Sequence, residues 1–291
     1  MLDPRKLLLL RELARRGTIA AVAQAVTFTP SAVSQQLSAL EREAGVPLLE
    51  RTGRGVTLTP AGHLLVEHAQ AVLEQLDRAS AALAAVRGGP SGALRIGAFP
   101  TAARVLLPPA LAALAAAHPG LEPRVAEIDP ADVSAALRAG ELDVALVHEY
   151  DFVPPVTDGS VDTEPLFGEP MYLTNHPSLA AARDQAWITN RPGTLCHAMA
   201  IRACQAAGFE PRVRHHVDDF DAVLALAAAG LGVALVPHLA ATAPPAGVTL
   251  TRLPLGRRTL AAFRKGYGGH PAIRAAVTAF RTASGRLPPA P

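Results

Sequence analysis

Phe28-Thr29-Pro30-Ser31-Ala32-Val33-Ser34-Gln35-Gln36-Leu37-Ser38-Ala39-Leu40-Glu41 is the stretch whose reading decides the fold. Thr29-Pro30 is a helix start: a hydroxyl that accepts from the first free N–H groups, then a ring that presets φ and has no N–H to leave unpaired. Val33, Leu37, Leu40 and Ala44 recur at spacings of four, three and four, drawing one apolar stripe along a helix that ends at Gly45. Ser31, Ser34, Gln35 and Ser38 share another face. Small hydroxyls and one amide, with no bulky charge near the helix start, let that face approach base edges closely. Glutamine suits bidentate contact to adenine, and serine serves several bases.

Two shorter helices precede this one. Asp3 caps the first with Pro4 behind it, and Gly17 stops it; Thr18 caps the second, 19–26. The tight turn into the third makes the arrangement a helix-turn-helix, whose last helix enters a DNA major groove. After Gly45, two short apolar runs flank Glu50-Arg51-Thr52-Gly53-Arg54-Gly55, a β-hairpin wing from which Arg51 and Arg54 reach phosphate or a minor groove. Residues 1–58 carry eight basic and five acidic side chains, so the segment is +3 while the remainder is −1. The excess sits where a polyanion needs it.

Thr59-Pro60 opens a long helix that continues to about Arg87 before Gly88-Gly89-Pro90-Ser91-Gly92 breaks it. Leu65, Ala69, Val72, Leu76, Ala79, Leu83 and Val86 alternate in spacings of four and three, the seam of a two-helix coiled coil. The expected dimerisation residues are Leu65, Ala69, Val72, Leu76 and Leu83. From residue 93 strands and helices alternate, implying parallel α/β sheets. Strands are expected at 94–97, 125–128, 142–147, 170–173, 213–217, 232–236 and 260–263. The charged N-terminus runs straight into a helical pattern, and the longest uncharged apolar stretch, 222–237, falls short of the ~20 residues a membrane span needs. A cytoplasmic protein without a membrane partner is expected, and two cysteines build no disulfide framework.

The stretch 28–41, with Gly45-Val46-Pro47-Leu48-Leu49-Glu50-Arg51 and Leu58-Thr59-Pro60-Ala61-Gly62 after it, resembles the signature of LysR-type transcriptional regulators. Leu49 stands where that family usually has phenylalanine. Farther on, Gly140-Glu141-Leu142-Asp143-Val144-Ala145-Leu146 and Ala229-Gly230-Leu231-Gly232-Val233-Ala234-Leu235-Val236-Pro237 look like its effector-binding domain. The resemblance implies an α/β protein in three parts. They are a winged helix-turn-helix (1–58), a dimerisation linker helix (59–88) and a two-subdomain α/β effector domain like a periplasmic binding protein (93–287). Residues 93–162 with 264–287 would form one subdomain and 163–263 the other. It also implies double-stranded DNA carrying an inverted repeat as partner, a homodimer or homotetramer, effects on RNA polymerase access, and a small-molecule effector between the subdomains.

Ligands of such sheets lie beyond the carboxyl ends of strands, near helix N-termini. That points to Pro100, Thr101, Ala102, His148, Tyr150, Thr194, Phe220 and Pro237, with Phe99 beside them. A hydroxyl at a helix N-terminus favours a carboxylate, so Thr101 and Thr194 lead and an organic anion is the expected effector, with no cofactor or metal.

Three other chemistries compete. Some LysR relatives sense peroxide with two cysteines in this region, which makes redox sensing by Cys196 and Cys204 the alternative reading. Eight residues along one helix separate them by about 12 Å of rise and roughly 80° of azimuth, beyond disulfide reach without local unfolding. Two small core residues is the preferred reading. An enzyme is disfavoured: there is no Gly-x-Ser-x-Gly elbow or P-loop, Gly230-x-Gly232 lacks a third glycine, and His215-His216 in a strand point to opposite faces. A solute-binding protein would account for 93–291 alone but not for the attached DNA-binding head.

Overall fold

The computed structural model describes residues 1–52, 55–87, 89–155 and 158–287, without the side chains of 51, 52, 74, 77, 78, 80–82 and 84–87. The chain divides into two compact units, Met1–Val86 and Arg87–Pro291.

The first unit contains α1 (Pro4–Arg16), α2 (Ile19–Val26) and α3 (Pro30–Ala44), the hairpin β1 (Leu49–Thr52) and β2 (Gly55–Leu58), and α4 (Pro60–Arg87). Asp3, Thr18 and Thr29 each accept a hydrogen bond from a backbone N–H of the helix they open. Gly17 and Gly45 close α1 and α3 in the left-handed region, and Thr27 closes α2 there, at φ 57°, which sharpens the turn into α3. Leu10, Val22, Val33, Leu37 and Leu40 meet in the core. Glu12 is buried beneath Arg11, Arg15 and Arg16. Burial alone would raise its pKa, but the hydrogen bond from Arg16 and the charges of Arg15 and Arg11 outweigh that and hold it below the usual carboxylate range.

The wing is tied to the helices on both sides. Glu41 Oε1 accepts from the N–H groups of Leu48 and Leu49, joining the end of α3 to the start of the hairpin. Thr59 donates its hydroxyl to Pro47 O, donates its N–H to Leu48 O, and accepts from Gly62 N at the start of α4.

In the second unit a six-stranded sheet runs β4 (Leu121–Glu127), β3 (Gly92–Ala98), β5 (Val144–Tyr150), β10 (Leu250–Arg264), β6 (Val161–Thr174), β9 (Leu235–Pro237). β3 is parallel to β4 and β5, whereas β10 is antiparallel to β5 and β6, so the sheet is mixed where a parallel one is expected. Helices α5 (Pro100–Val105), α6 (Leu107–Ala117), α7 (Pro130–Ala139) and α10 (Pro271–Ser284) accompany the first lobe. The second lobe adds β7 (Ala186–Thr189) and β8 (Arg212–His216), a parallel pair, with α8 (Leu195–Ala206) and α9 (Phe220–Ala228).

Two long strands, β6 and β10, belong to both lobes. The carboxyl half of β10, 257–263, pairs with β5, and Ala261, Phe263, Leu166 and Phe167 pack in the first lobe's core. The expected subdomain boundaries at 162/163 and 263/264 therefore fall inside continuous strands, and the crossing lies near 168–170 and 252–256. Gly168 and Pro170 stand in one strand at the crossing, Pro254 and Gly256 in the other, and the register shifts between Arg252 and Gly256. Prolines donate no ladder hydrogen bond and glycines pack no side chain, so the ribbon is weakest there.

Candidate functional site: a polar helix face and a cleft between two lobes

On α3 Val33, Leu37 and Leu40 of the apolar stripe are buried and Ala44 half-buried, while Ser31, Gln35 and Ser38 are exposed with Ser34 half-buried. Thr29, at the helix start, is also exposed and its hydroxyl lies 3.1 Å from that of Ser31. Phe28 beside them is 54% exposed, an apolar side chain absent from the expected set. The Arg51 side chain and the whole of Arg54 lie outside the described residues.

Along α4 the expected seam divides in two. Ala69 is fully buried and Leu65 half-buried, both against the core of their own unit. Val72, Leu76 and Leu83 are exposed, Ala79 with them, and the Val86 side chain lies outside the described residues. The alternation of four and three suits packing on one's own domain as well as on a second helix, and the first two turns of α4 are taken up by the former.

A cavity of about 240 Å³ opens between the lobes of the second unit. Pro100, Thr101, His148, Thr194 and Phe220 line it as expected. Ala102, Tyr150 and Pro237 do not. Ala102 turns into the first lobe's core, Pro237 is buried in β9 against Met171, and Tyr150 lies one layer behind the wall. Cys196, expected in the core, is on the wall; Tyr150 OH lies 3.1 Å and His148 Nε2 3.8 Å from its sulfur. Thr194 spends its hydroxyl within its own turn, accepting from His197 N and donating to Arg191 O.

Arg257 is the lining residue that strand patterning does not disclose. It is 1% exposed and stands directly across the β6–β10 ladder from Glu169. Its Nε donates to Glu169 Oε1 at 2.8 Å, its Nη2 to Thr101 Oγ1 at 3.2 Å, and its guanidinium lies over the Phe99 ring. Glu169 Oε2 accepts from Leu239 N. Burial opposes the charge of Arg257, but the adjacent Glu169 carboxylate raises its pKa above the ordinary value. His148, wedged edge-on between Phe99 and Tyr150, is pushed well below the usual imidazole range, by burial first and then by Arg257, and so is neutral. Its Nδ1 has no hydrogen-bond partner among the described residues. Glu127, Asp129, Asn190, Arg191 and Asp218 complete the polar lining.

Both cysteines lie on α8 and both thiols are free. Burial raises the pKa of Cys196, and that of Cys204 is pushed up to about 12. Thiols held protonated are poor nucleophiles.

A family model described as LysR substrate binding domain matches residues 87–285, and one described as bacterial regulatory helix-turn-helix protein, lysR family, matches residues 4–63. A probable hydrogen peroxide-inducible genes activator of Mycobacterium avium is 31% identical over 284 residues, 94% of this chain and 86% of that protein. The HTH-type transcriptional regulator TfdS of Cupriavidus pinatubonensis is 34% identical over 243 residues, 77% of this chain and 78% of its own. Among solved structures, full-length CbnR complexed with its target DNA matches with a TM-score of 0.57 at 26% identity, covering 97% of this chain and 100% of that one. A full-length OxyR variant from Pseudomonas aeruginosa reaches 0.71 at 24% identity over 97% of this chain and 98% of that one, a likeness of fold. Among the described residues no helix is long and apolar enough to cross a membrane.

Proposed function

The chain belongs to the LysR family of bacterial transcriptional regulators, and from that premise we propose that it reads an inverted DNA repeat as a dimer under the control of a small molecule held in the cleft. The observation that carries the DNA reading is the largely exposed polar face of α3, opposite a stripe in which Val33, Leu37 and Leu40 are buried. Ser31, Ser34, Gln35 and Ser38 contact base edges; Thr29 and the wing arginines Arg51 and Arg54 contact the backbone. Val72, Leu76 and Leu83 supply the partner-facing surface of α4. Dimerisation sets two α3 helices about one DNA turn apart, which is the geometry an inverted repeat requires. Pairing of dimers through the second unit would make tetramers, and a change of cleft occupancy would alter polymerase access to the promoter.

Fragments selected from genomic DNA by the purified protein test this. Gln35→Ala should reduce discrimination between the selected site and single-base variants by about 1–3 kcal/mol while sparing affinity for random DNA. Arg51→Ala should weaken binding to every sequence alike and lower the salt dependence by about one phosphate contact. Equal losses on all sequences from Gln35→Ala would sink the readout assignment.

In the cleft, Thr101 supports the reading of an anionic group on the effector, because its oxygen accepts from Arg257 and its hydrogen remains free to donate. The name of the mycobacterial relative raises peroxide sensing as a second reading, and the protonated thiols of Cys196 and Cys204 do not support it. Mild peroxide should leave the intact mass without the reversible loss of about 2 Da that a disulfide brings, and DNA binding unchanged. A reversible loss with altered DNA binding would reinstate the redox reading.

A further inference from the structure

The charges around the cleft do not suit a plain anion. Of its lining residues, Arg191 is paired with Asp218, and Arg257 with Glu169 behind it. Glu127 and Asp129 remain, both exposed and neither with a cationic partner among the described residues. Among the described residues the Asp129 carboxylate accepts one hydrogen bond, from the N–H of Ala131, as the cap of α7. The two pairs cancel, so the cleft is left with two uncompensated carboxylates. Low-dielectric walls concentrate that field, and a molecule carrying only negative charge enters against it.

The polarity is also ordered along the sheet. Strands β4, β3, β5 and β10 are consecutive neighbours, and Glu127 and Asp129 stand at and just beyond the end of β4. His148 is on β5 and Arg257 on β10, at the opposite end of the cleft. Three strand spacings put about 14 Å between the outer backbones, of which the side chains fill a large part. At the β5–β10 end the Arg257 guanidinium and the spare hydrogen of Thr101 are donors, and beside them a buried His148 has an Nδ1 with no partner among the described residues. At the β4 end they are acceptors. Resting on the reading of this cleft as the effector site, we propose that the effector is a compact amphoteric molecule. Its carboxylate sits against Arg257, Thr101 and His148, and its ammonium faces Glu127 and Asp129.

Titration of the full-length protein with matched probes of three to six carbons tests this, each skeleton as the carboxylate, the amine and the ω-amino acid (for four carbons butyrate, butylamine and 4-aminobutyrate). In at least one skeleton the amino acid should bind about twofold to fivefold more tightly than either monofunctional probe, the scale of one exposed ion pair. In the double variant Glu127→Gln, Asp129→Asn, where asparagine keeps a capping oxygen on α7, that advantage should vanish and carboxylate affinity should rise. Carboxylates binding the wild type as tightly as the amino acids, with affinity still rising in the variant, would overturn the amphoteric assignment and leave the cleft as the effector site. Binding indifferent to the variant, or no binding by any probe, would overturn both.

Discussion

Replacing Glu169 with alanine should cost the second unit about 3–5 kcal/mol, because it leaves the Arg257 guanidinium buried without its carboxylate. The pair is nearly inaccessible on both sides, 1% for Arg257 and 2% for Glu169, so water cannot take the place of the lost partner. The N–H of Leu239 loses its acceptor in the same step. Trp187, the single tryptophan of the chain, is fully buried in the second lobe, so its fluorescence during urea unfolding reports this unit and not the DNA-binding head. The double substitution Glu169→Leu, Arg257→Met should recover most of the loss, since it removes both charges and keeps the volume. A change below about 1 kcal/mol in the single variant would show that the pair is not held as described.

Gly62→Ala should disable the DNA-binding unit and leave the Trp187 transition where it was. A β-carbon at Gly62 would lie 2.2 Å from the carbonyl oxygen of Leu48, a backbone atom that cannot rotate away. Leu48 is itself fixed, because its oxygen accepts from Thr59 and its N–H donates to Glu41. Relief requires α4 to lift off the wing, at about 1–3 kcal/mol or more for overpacking of this kind. Fluorescence anisotropy on labelled operator DNA should show affinity falling to the non-specific level. Retention of full specific affinity would mean that the wing and α4 are not held as one body. Gly17 offers a contrast: its β-carbon would meet nothing, and alanine there costs only the left-handed backbone, about 1 kcal/mol.

The DNA-binding unit is legible in the sequence because its signals are local. Thr29-Pro30 and Gly45 sit within a few residues of the structure they specify, and the four–three spacing of Val33, Leu37 and Leu40 marks the buried face without reference to anything distant. The cleft is different. Thr101, His148 and Phe220 could be placed because strand ends followed by helix starts are visible as pattern changes. Arg257 could not, because an arginine between Gly256 and Arg258 reads as a solvated turn until Glu169, far away in sequence, is brought across from it. The same Pro254 and Gly256 broke the period-two signal, so that only 260–263 of β10 was expected as a strand. Likewise Pro165, Gly168 and Pro170 left only 170–173 of β6. Ala102 and Tyr150 show the opposite limit: lying next to a site in sequence does not tell a wall from the layer behind it.

The weakened ribbon between the lobes has a mechanical consequence. Gly168 and Pro170 flank Glu169 on β6, Pro254 and Gly256 precede its cross-strand partner Arg257 on β10, and that pair is also tethered to Thr101 and to the backbone of Leu239. Soft segments beside a fixed centre form a pivot. The lobes can rock about that point, but sliding past one another would require breaking the buried pair. A guest held in the cleft would therefore be expected to change the angle between the lobes and not their distance along the strands.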